Sequence, residues 1–302
     1  MTRIVSFLPA ATEIVYAIGA GDELVGRSHE CDYPADVQRL PIVSRPSLPI
    51  DTLSQEEIDS AVSTQLASGN SLYLVDEVLL KGLAPDVVLT QDLCQVCAPS
   101  GTELTRALRE LPSRPEVLWL TPRTIAEVEQ NVRDIGRVTG REPQAKALIA
   151  DGRARIEAVE NSVARAERKR VVFLEWTDPV FCGGHWVPEM VALAGGVDPL
   201  GRAGGDSVRI SWQDVEDAKP DILIVAPCGY GLSQSEDAAR NLPAIPGATV
   251  IAVDANAYFA RPGPRLAEGV ELLAHLFHPD AFAWPHDTRP WAEIPGDVGV
   301  SG

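Results

Sequence analysis

Short apolar runs alternate with amphipathic ones along most of this chain, and one long charged stretch interrupts the alternation near its middle. Ile4–Leu8 precedes a helical pattern over Ala11–Ile18, and Leu24–Arg27 opens into the loop His29–Pro34. Val87–Thr90 leads through a cysteine-bearing loop to a helix around Leu104–Leu111, and Val117–Leu120 is followed by Thr124–Val138. That last segment puts Ile125, Val128, Val132 and Ile135 on one face, with Thr124 and Glu127 spaced as a capping box. Repeated strand-then-helix units predict a mostly parallel sheet with helices on both faces.

From Glu142 to Lys169 the pattern changes. Ala145, Ile149, Ile156, Val159 and Val163 form a narrow apolar stripe among charges, and Pro143 suits a first helical turn, where its missing donor costs nothing. The spacing predicts one helix of about 25 residues, about 38 Å long. Strand–helix units restart at Arg170, with Val171–Glu175, Pro188–Ala194, Ile222–Ala226, Val250–Val253 and Pro264–Phe277. The expected fold is α/β: two Rossmann-like three-layer lobes joined by one long backbone helix. The first lobe is expected over 1–141, the linking helix over 142–169, the second lobe over 170–278 and an irregular tail over 279–302. The competing arrangement is one continuous sheet in which the charged helix is an ordinary crossover.

Charge and composition narrow the function. A formal net charge of −17 argues against nucleic acid and anionic membrane surfaces as partners, because both repel an acidic body. No run reaches the roughly 18 uninterrupted apolar residues of a spanning helix. Met1–Leu8 goes straight into a strand pattern with no leader of its own. The expected location is therefore cytoplasmic, or periplasmic or cell-surface if a leader has been removed. Five cysteines, an odd number, fit free thiols in a reducing compartment. The sequence shows no acyl-transfer triad, no GxGxxG after a strand and no GxxxxGK[ST].

All five cysteines, and two of the five histidines, fall just past the ends of strand-like runs. In an open parallel sheet those loops line the ligand crevice, which makes four segments candidate ligand walls. The first places His29, Glu30, Cys31 and Tyr33 together, with Asp32 and Pro34 setting a turn. The second carries Gln91 and Cys94, and Cys94 forms a CxxC with Cys97. Such a pair alone also fits half a zinc site or a thiol-redox pair. The third gathers Trp176, Cys182, His185 and Trp186 around a Gly-Gly hinge, and its aromatic faces suit a large flat ligand. The fourth offers Tyr258 and Arg261 just ahead of a helix, where the guanidinium suits a carboxylate, amide or phosphate. His29, Cys31, Cys182 and His185 carry the imidazole and thiol donors that suit an axial position on a metal centre.

Five stretches carry a family resemblance. They are Arg3-Ile4-Val5-Ser6-Phe7-Leu8-Pro9-Ala10-Ala11-Thr12-Glu13, the Asp32-Tyr33-Pro34 turn, Leu83-Ala84-Pro85-Asp86-Val87-Val88, Ala194-Gly195-Gly196 and Phe259-Ala260-Arg261. On these the chain resembles the substrate-binding proteins of cobalamin, haem and iron-siderophore importers, nearest to the cobalamin-binding branch, over about residues 2–278. The resemblance implies two α/β lobes bridged by a helix, with a corrinoid between them contacted by Glu30 in the first lobe and by Trp176 and the Tyr258–Arg261 region in the second. The bound ligand it implies is a cobalamin, with haem, a siderophore or another metal chelate as alternatives and the Cys94/Cys97 zinc or redox site as a further one. An ABC permease is the implied partner, and Glu77 and Asp214 lie near the places where importers dock on it. The expected state is a monomer, not inserted in a membrane.

Overall fold

The computed structural model describes residues 2–49, 52–68, 71–91, 102–109, 111 and 113–295. The chain divides into two compact units, Met1–Pro122 with Ala126–Ala150, and Arg123–Ile125 with Asp151–Gly302.

Unit 1 is built from β1 (Ile4–Ser6), α1 (Pro9–Ala17), β2 (Leu24–Ser28), β3 (Ile42–Pro46), α2 (Gln55–Ala67), β4 (Tyr73–Val75), α3 (Glu77–Leu83), β5 (Val87–Thr90), α4 (Thr102–Arg109), β6 (Glu116–Trp119) and α5 (Ile125–Val138). Its sheet runs β4-β3-β2-β1-β5-β6, parallel except where β4 meets β3. Successive strand residues point to opposite faces, and the core follows that rule. Ile4, Val87 and Leu89 join Ile14, Val132 and Ile135 on one side, while Val5 and Val88 join Phe7, Leu80 and Ala107 on the other. Both faces are covered by helices, so all of β5 is buried and reads as an unbroken apolar run.

The charged stretch folds as α6 (Glu142–Val163), a helix of 22 residues and hence about 33 Å. It stops short of Lys169 because that residue already opens the first strand of unit 2, where its N–H donates to the Gly195 carbonyl. The units divide inside this helix, between Ala150 and Asp151, rather than at its ends.

Unit 2 follows as β7 (Lys169–Thr177), β8 (Val180–Cys182), β9 (Gly184–His185), α7 (Val187–Leu193), β10 (Gly196–Val197), β11 (Arg202–Ala203), α8 (Trp212–Ala218), β12 (Ile222–Val225), α9 (Leu232–Arg240), β13 (Thr249–Val253), α10 (Ala255–Tyr258), α11 (Leu266–Phe277) and β14 (Trp291–Ile294). Its sheet runs β10-β7-β12-β13-β14 and is separate from that of unit 1, so the chain does not form one continuous sheet. Two features depart from the sequence reading. The segment after Trp176 is not an open loop: β8 turns back antiparallel on β7, and β9 pairs with β11. The tail is not wholly irregular either. β14 pairs antiparallel with β13, matching Val253 with Trp291, and covers an edge that would otherwise expose unpaired backbone.

Among the described residues no helix is long and apolar enough to cross a membrane.

Candidate functional site

Each unit presents a cluster at the carboxyl ends of its parallel strands. In unit 1, β2 delivers Ser28 and His29 beside β3. The Ser44 hydroxyl donates to Ser28 Oγ at 3.2 Å, and His29 Nδ1 lies 3.1 Å from the Ser44 carbonyl oxygen. His29 Nε2 sits 3.2 Å from Glu30 Oε1, and its ring lies 5.7 Å from that of Tyr73. Nδ1 of His29 is thus engaged, whereas Nε2 is buried beside Glu30 without a hydrogen bond. Tyr33 is half-exposed, whereas Gln91 is buried. Cys94 and its CxxC partner Cys97 lie outside the described residues.

Cys31 corrects the sequence reading. The buried Arg27 donates through Nη1 to the carbonyls of Ser28 and Cys31, which curls the segment inward. The thiol then sits fully buried in the core with Ile14, Val37 and Leu89, accepting a hydrogen bond from Thr12 Oγ1 at 3.1 Å. It lines no surface and is not presented as a metal donor.

In unit 2, β7 and the loop after β12 bring aromatic groups together. Trp176 and Tyr230 rings stand 5.5 Å apart, and the Cys228 N–H donates to the Glu175 carbonyl, which keeps the loop against the strand. Cys228 is exposed. Tyr230 accepts at its carbonyl from Asn256 N–H, joining this loop to α10. Burial pushes the Tyr258 hydroxyl above its ordinary pKa, and its ring meets Trp284 edge-on at 6.3 Å. Arg261 is only 6% exposed, and its Nε donates to Asn256 Oδ1 at 3.1 Å. Its guanidinium is thus part of the fold of this loop rather than an open clamp.

Two further members of the third segment prove to be scaffold. Cys182 is fully buried in β8, which pairs with β7, and burial pushes its thiol pKa up. Trp186 is buried and donates from Nε1 to the Phe259 carbonyl at 2.9 Å, tying the start of α7 to the end of α10.

His185 is held differently. It adopts φ of 51°, in the left-handed region that costs a residue with a Cβ about 1 kcal/mol or more. Two backbone bonds hold it there: its N–H donates to the Gly205 carbonyl at 2.7 Å and its carbonyl accepts from Gly204 N–H at 2.9 Å. Gly184 before it has no room for a Cβ, which would lie 2.3 Å from the Ser207 nitrogen. The ring's Nε2 lies 3.3 Å from Asp206 Oδ1, which in turn is 2.9 Å from Arg123 Nη1. Burial lowers the His185 pKa and the Arg123 charge adds to that, against the pull of Asp206, so the environment favours the neutral ring.

Sequence reasoning missed Tyr230, Asp206 and Arg123. Tyr230 was findable, since it follows the strand Ile222–Val225 as closely as the cysteines follow theirs. Asp206 stands in a glycine-rich loop that lacks any phosphate-binding spacing. Arg123 precedes α5 and nothing local marks it. Of the two acidic residues near the expected permease contacts, Glu77 pairs with Arg106 at 2.9 Å and Asp214 closes a capping box with Ser211 at the start of α8. Among the described residues no group of three or more His, Cys, Asp or Glu is placed to hold a metal ion.

Comparison with known proteins bears on the whole chain. Residues 4–256 match the model of a family described as periplasmic binding protein. A substrate-binding lipoprotein of an ABC transporter from Bacillus subtilis strain 168 is 24% identical over 289 residues, 93% of this chain and 81% of that one. The vitamin B12-binding protein of Yersinia pestis is 24% identical over 227 residues, 74% of this chain and 69% of its own length. Among solved structures, a periplasmic haem-binding protein from Pseudomonas aeruginosa superposes with a TM-score of 0.69 at 18% identity, covering 99% of each chain.

Proposed function

Because this chain belongs to the periplasmic binding protein family, we propose that it is a carrier, not a catalyst, whose cargo is a metal tetrapyrrole, first of all a cobalamin-like corrinoid. The observation that carries the reading is the strand-end chemistry of unit 2. Trp176 and Tyr230 offer indole and phenol faces to a flat ring, and His185 adds a neutral imidazole. Aromatic faces bury a large area at small cost in side-chain entropy, which is what a wide, mostly apolar ring system requires. Unit 1 carries its own polar strand-end group, His29 with Glu30 and the half-exposed Tyr33, of a kind that suits amide or carboxylate groups.

The vitamin B12-binding relative supports the corrinoid, and the substrate-binding lipoprotein supports an ABC permease as partner and work outside the cytoplasmic membrane. Haem is the second reading, favoured by the imidazole, since iron porphyrins accept one nitrogen donor readily.

Titration with hydroxocobalamin and with haemin, followed by visible spectra and by competition between the two, tests the reading. Saturable binding of at least one pigment is expected, with hydroxocobalamin displacing haemin. Trp176→Ala is expected to weaken binding about tenfold, the equivalent of about 1.4 kcal/mol. Absence of binding by either pigment overturns the reading.

A further inference from the structure

We propose that His185 is the axial nitrogen donor to the metal of the bound tetrapyrrole, with Asp206 and Arg123 as the groups that position it. This rests on the reading above and names the one residue that reads the metal.

His29, Cys31, Cys182 and His185 are the four axial donors that the sequence suggests, and the structure separates them. Cys31 and Cys182 are fully buried in their cores. His29 has Nδ1 committed to the Ser44 carbonyl, and its Nε2 is buried beside Glu30, out of reach of a ligand. His185, by contrast, has Nε2 held by the Asp206 carboxylate on a ring that is partly exposed. A neutral imidazole has one N–H and one lone pair. The carboxylate of Asp206 lies at Nε2 and takes the N–H there, so the lone pair falls on Nδ1, where no hydrogen bond is described. A carboxylate behind a ligating histidine is the arrangement that fixes the tautomer and raises the basicity of the donor nitrogen. Arg123 in turn fixes Asp206.

The backbone shows the same commitment. The left-handed φ of His185 is unfavourable for any residue but glycine, yet the fold holds it with two backbone hydrogen bonds and a glycine neighbour that admits no Cβ. A structural role for the ring alone would be met as well by a histidine in a relaxed conformation. The ring remains partly open, with 19% of its side chain exposed.

A single imidazole does not hold a bare ion, and among the described residues no three donors gather. The metal this residue meets therefore arrives with its equatorial positions filled, as in an iron porphyrin or a cobalt corrinoid. Binding is a ligand exchange. The Nδ1 lone pair forms the new bond to the metal, the axial water leaves as water, and nothing is oxidised or reduced.

The test compares the full-length protein with His185→Gly, which suits the left-handed backbone and keeps the fold, and with Asp206→Asn. The probes are haemin and hydroxocobalamin, whose axial water exchanges, and metal-free protoporphyrin IX, which offers no metal. The intact protein is expected to give the absorption spectrum of a nitrogen-ligated metal. His185→Gly is expected to lose that signature while binding protoporphyrin IX with unchanged affinity, and free imidazole is expected to restore it. Asp206→Asn is expected to keep the nitrogen signature but to move the reduction potential of bound haem upward, as a less basic imidazole stabilises ferric iron less. An unchanged spectrum in His185→Gly, or pigment bound by the intact protein with its axial water retained, overturns the assignment and leaves the carrier reading standing. Absence of binding by every probe overturns the carrier reading itself. An unmoved potential in Asp206→Asn removes that residue's positioning role.

Discussion

The linking helix is tied down differently at its two ends. At its start, Arg141 reaches Glu23 through a single 3.2 Å contact within unit 1. Further along, Arg155 holds Glu271 in a fork of 2.8 and 2.6 Å within unit 2, and His286 completes the site at 2.8 Å from the same carboxylate. The strand-end clusters repeat the contrast. Unit 1 orders His29 with serine hydroxyls and a carbonyl, and unit 2 orders His185 with an aspartate and an arginine. Neutral hydrogen bonds each add a little and fail gently. Buried charges such as Glu271 are stable only as complete sets, so their loss is abrupt, whereas the Asp206–Arg123 pair lies in water and is screened.

Three measurements would break or sharpen that contrast. Glu271→Ala leaves a half-buried guanidinium without its carboxylate and is expected to cost about 3–5 kcal/mol in urea unfolding. If it costs no more than the Glu23 variant below, the two ends are not different in kind.

The next effect is a pH dependence carried by Asp198. Burial raises its pKa from 3.8 to about 6, although it accepts backbone N–H groups from Phe173, Leu200 and Gly201. The unfolded chain gives up this proton near pH 3.8, the folded one near 6, so its contribution to stability is full below about pH 4 and is lost as pH rises through 6. The loss between pH 4 and 7 is about 2–3 kcal/mol. Glu271 has the opposite sign. Burial raises its pKa, but the hydrogen bonds from Arg155 and His286 together outweigh that and leave it lowered, so its contribution is present at neutral pH and lost on acidification. Asp198→Asn is expected to be progressively less destabilising, relative to the native chain, from pH 4 to 7 in paired urea titrations. A gap that stays constant with pH would remove Asp198 from the account.

The smallest effect is that of Glu23→Ala, expected at about 1–2 kcal/mol, because the freed Arg141 is partly open to water. A cost matching that of Glu271→Ala would place a hidden network at the first end as well.

The strand–helix order was legible because strands buried on both faces carry no alternation and read as plain apolar runs, as Val87–Thr90 and Ile222–Val225 do. β14 was not legible. Trp291-Ala292-Glu293-Ile294 lies between prolines and becomes a strand only by pairing with β13, about 40 residues earlier, an interaction with no local trace. The site was legible to a similar depth. Position after a strand end picked out His29, Trp176 and His185, which are partly exposed, and equally Cys31, Cys182 and Trp186, which are buried.

The sequence by itself determined which residues stand at strand ends, because periodicity and turn chemistry act over a few residues. The direction in which each side chain points was decided by tertiary structure. Arg27 turns Cys31 into the core, the β7–β8 pairing encloses Cys182, and Asp206 and Arg123 converge on His185 from separate parts of the chain. Arg123 and Asp206 lie far apart in sequence, and even the short-range Arg27–Cys31 and β7–β8 contacts act only once the backbone has closed the distance.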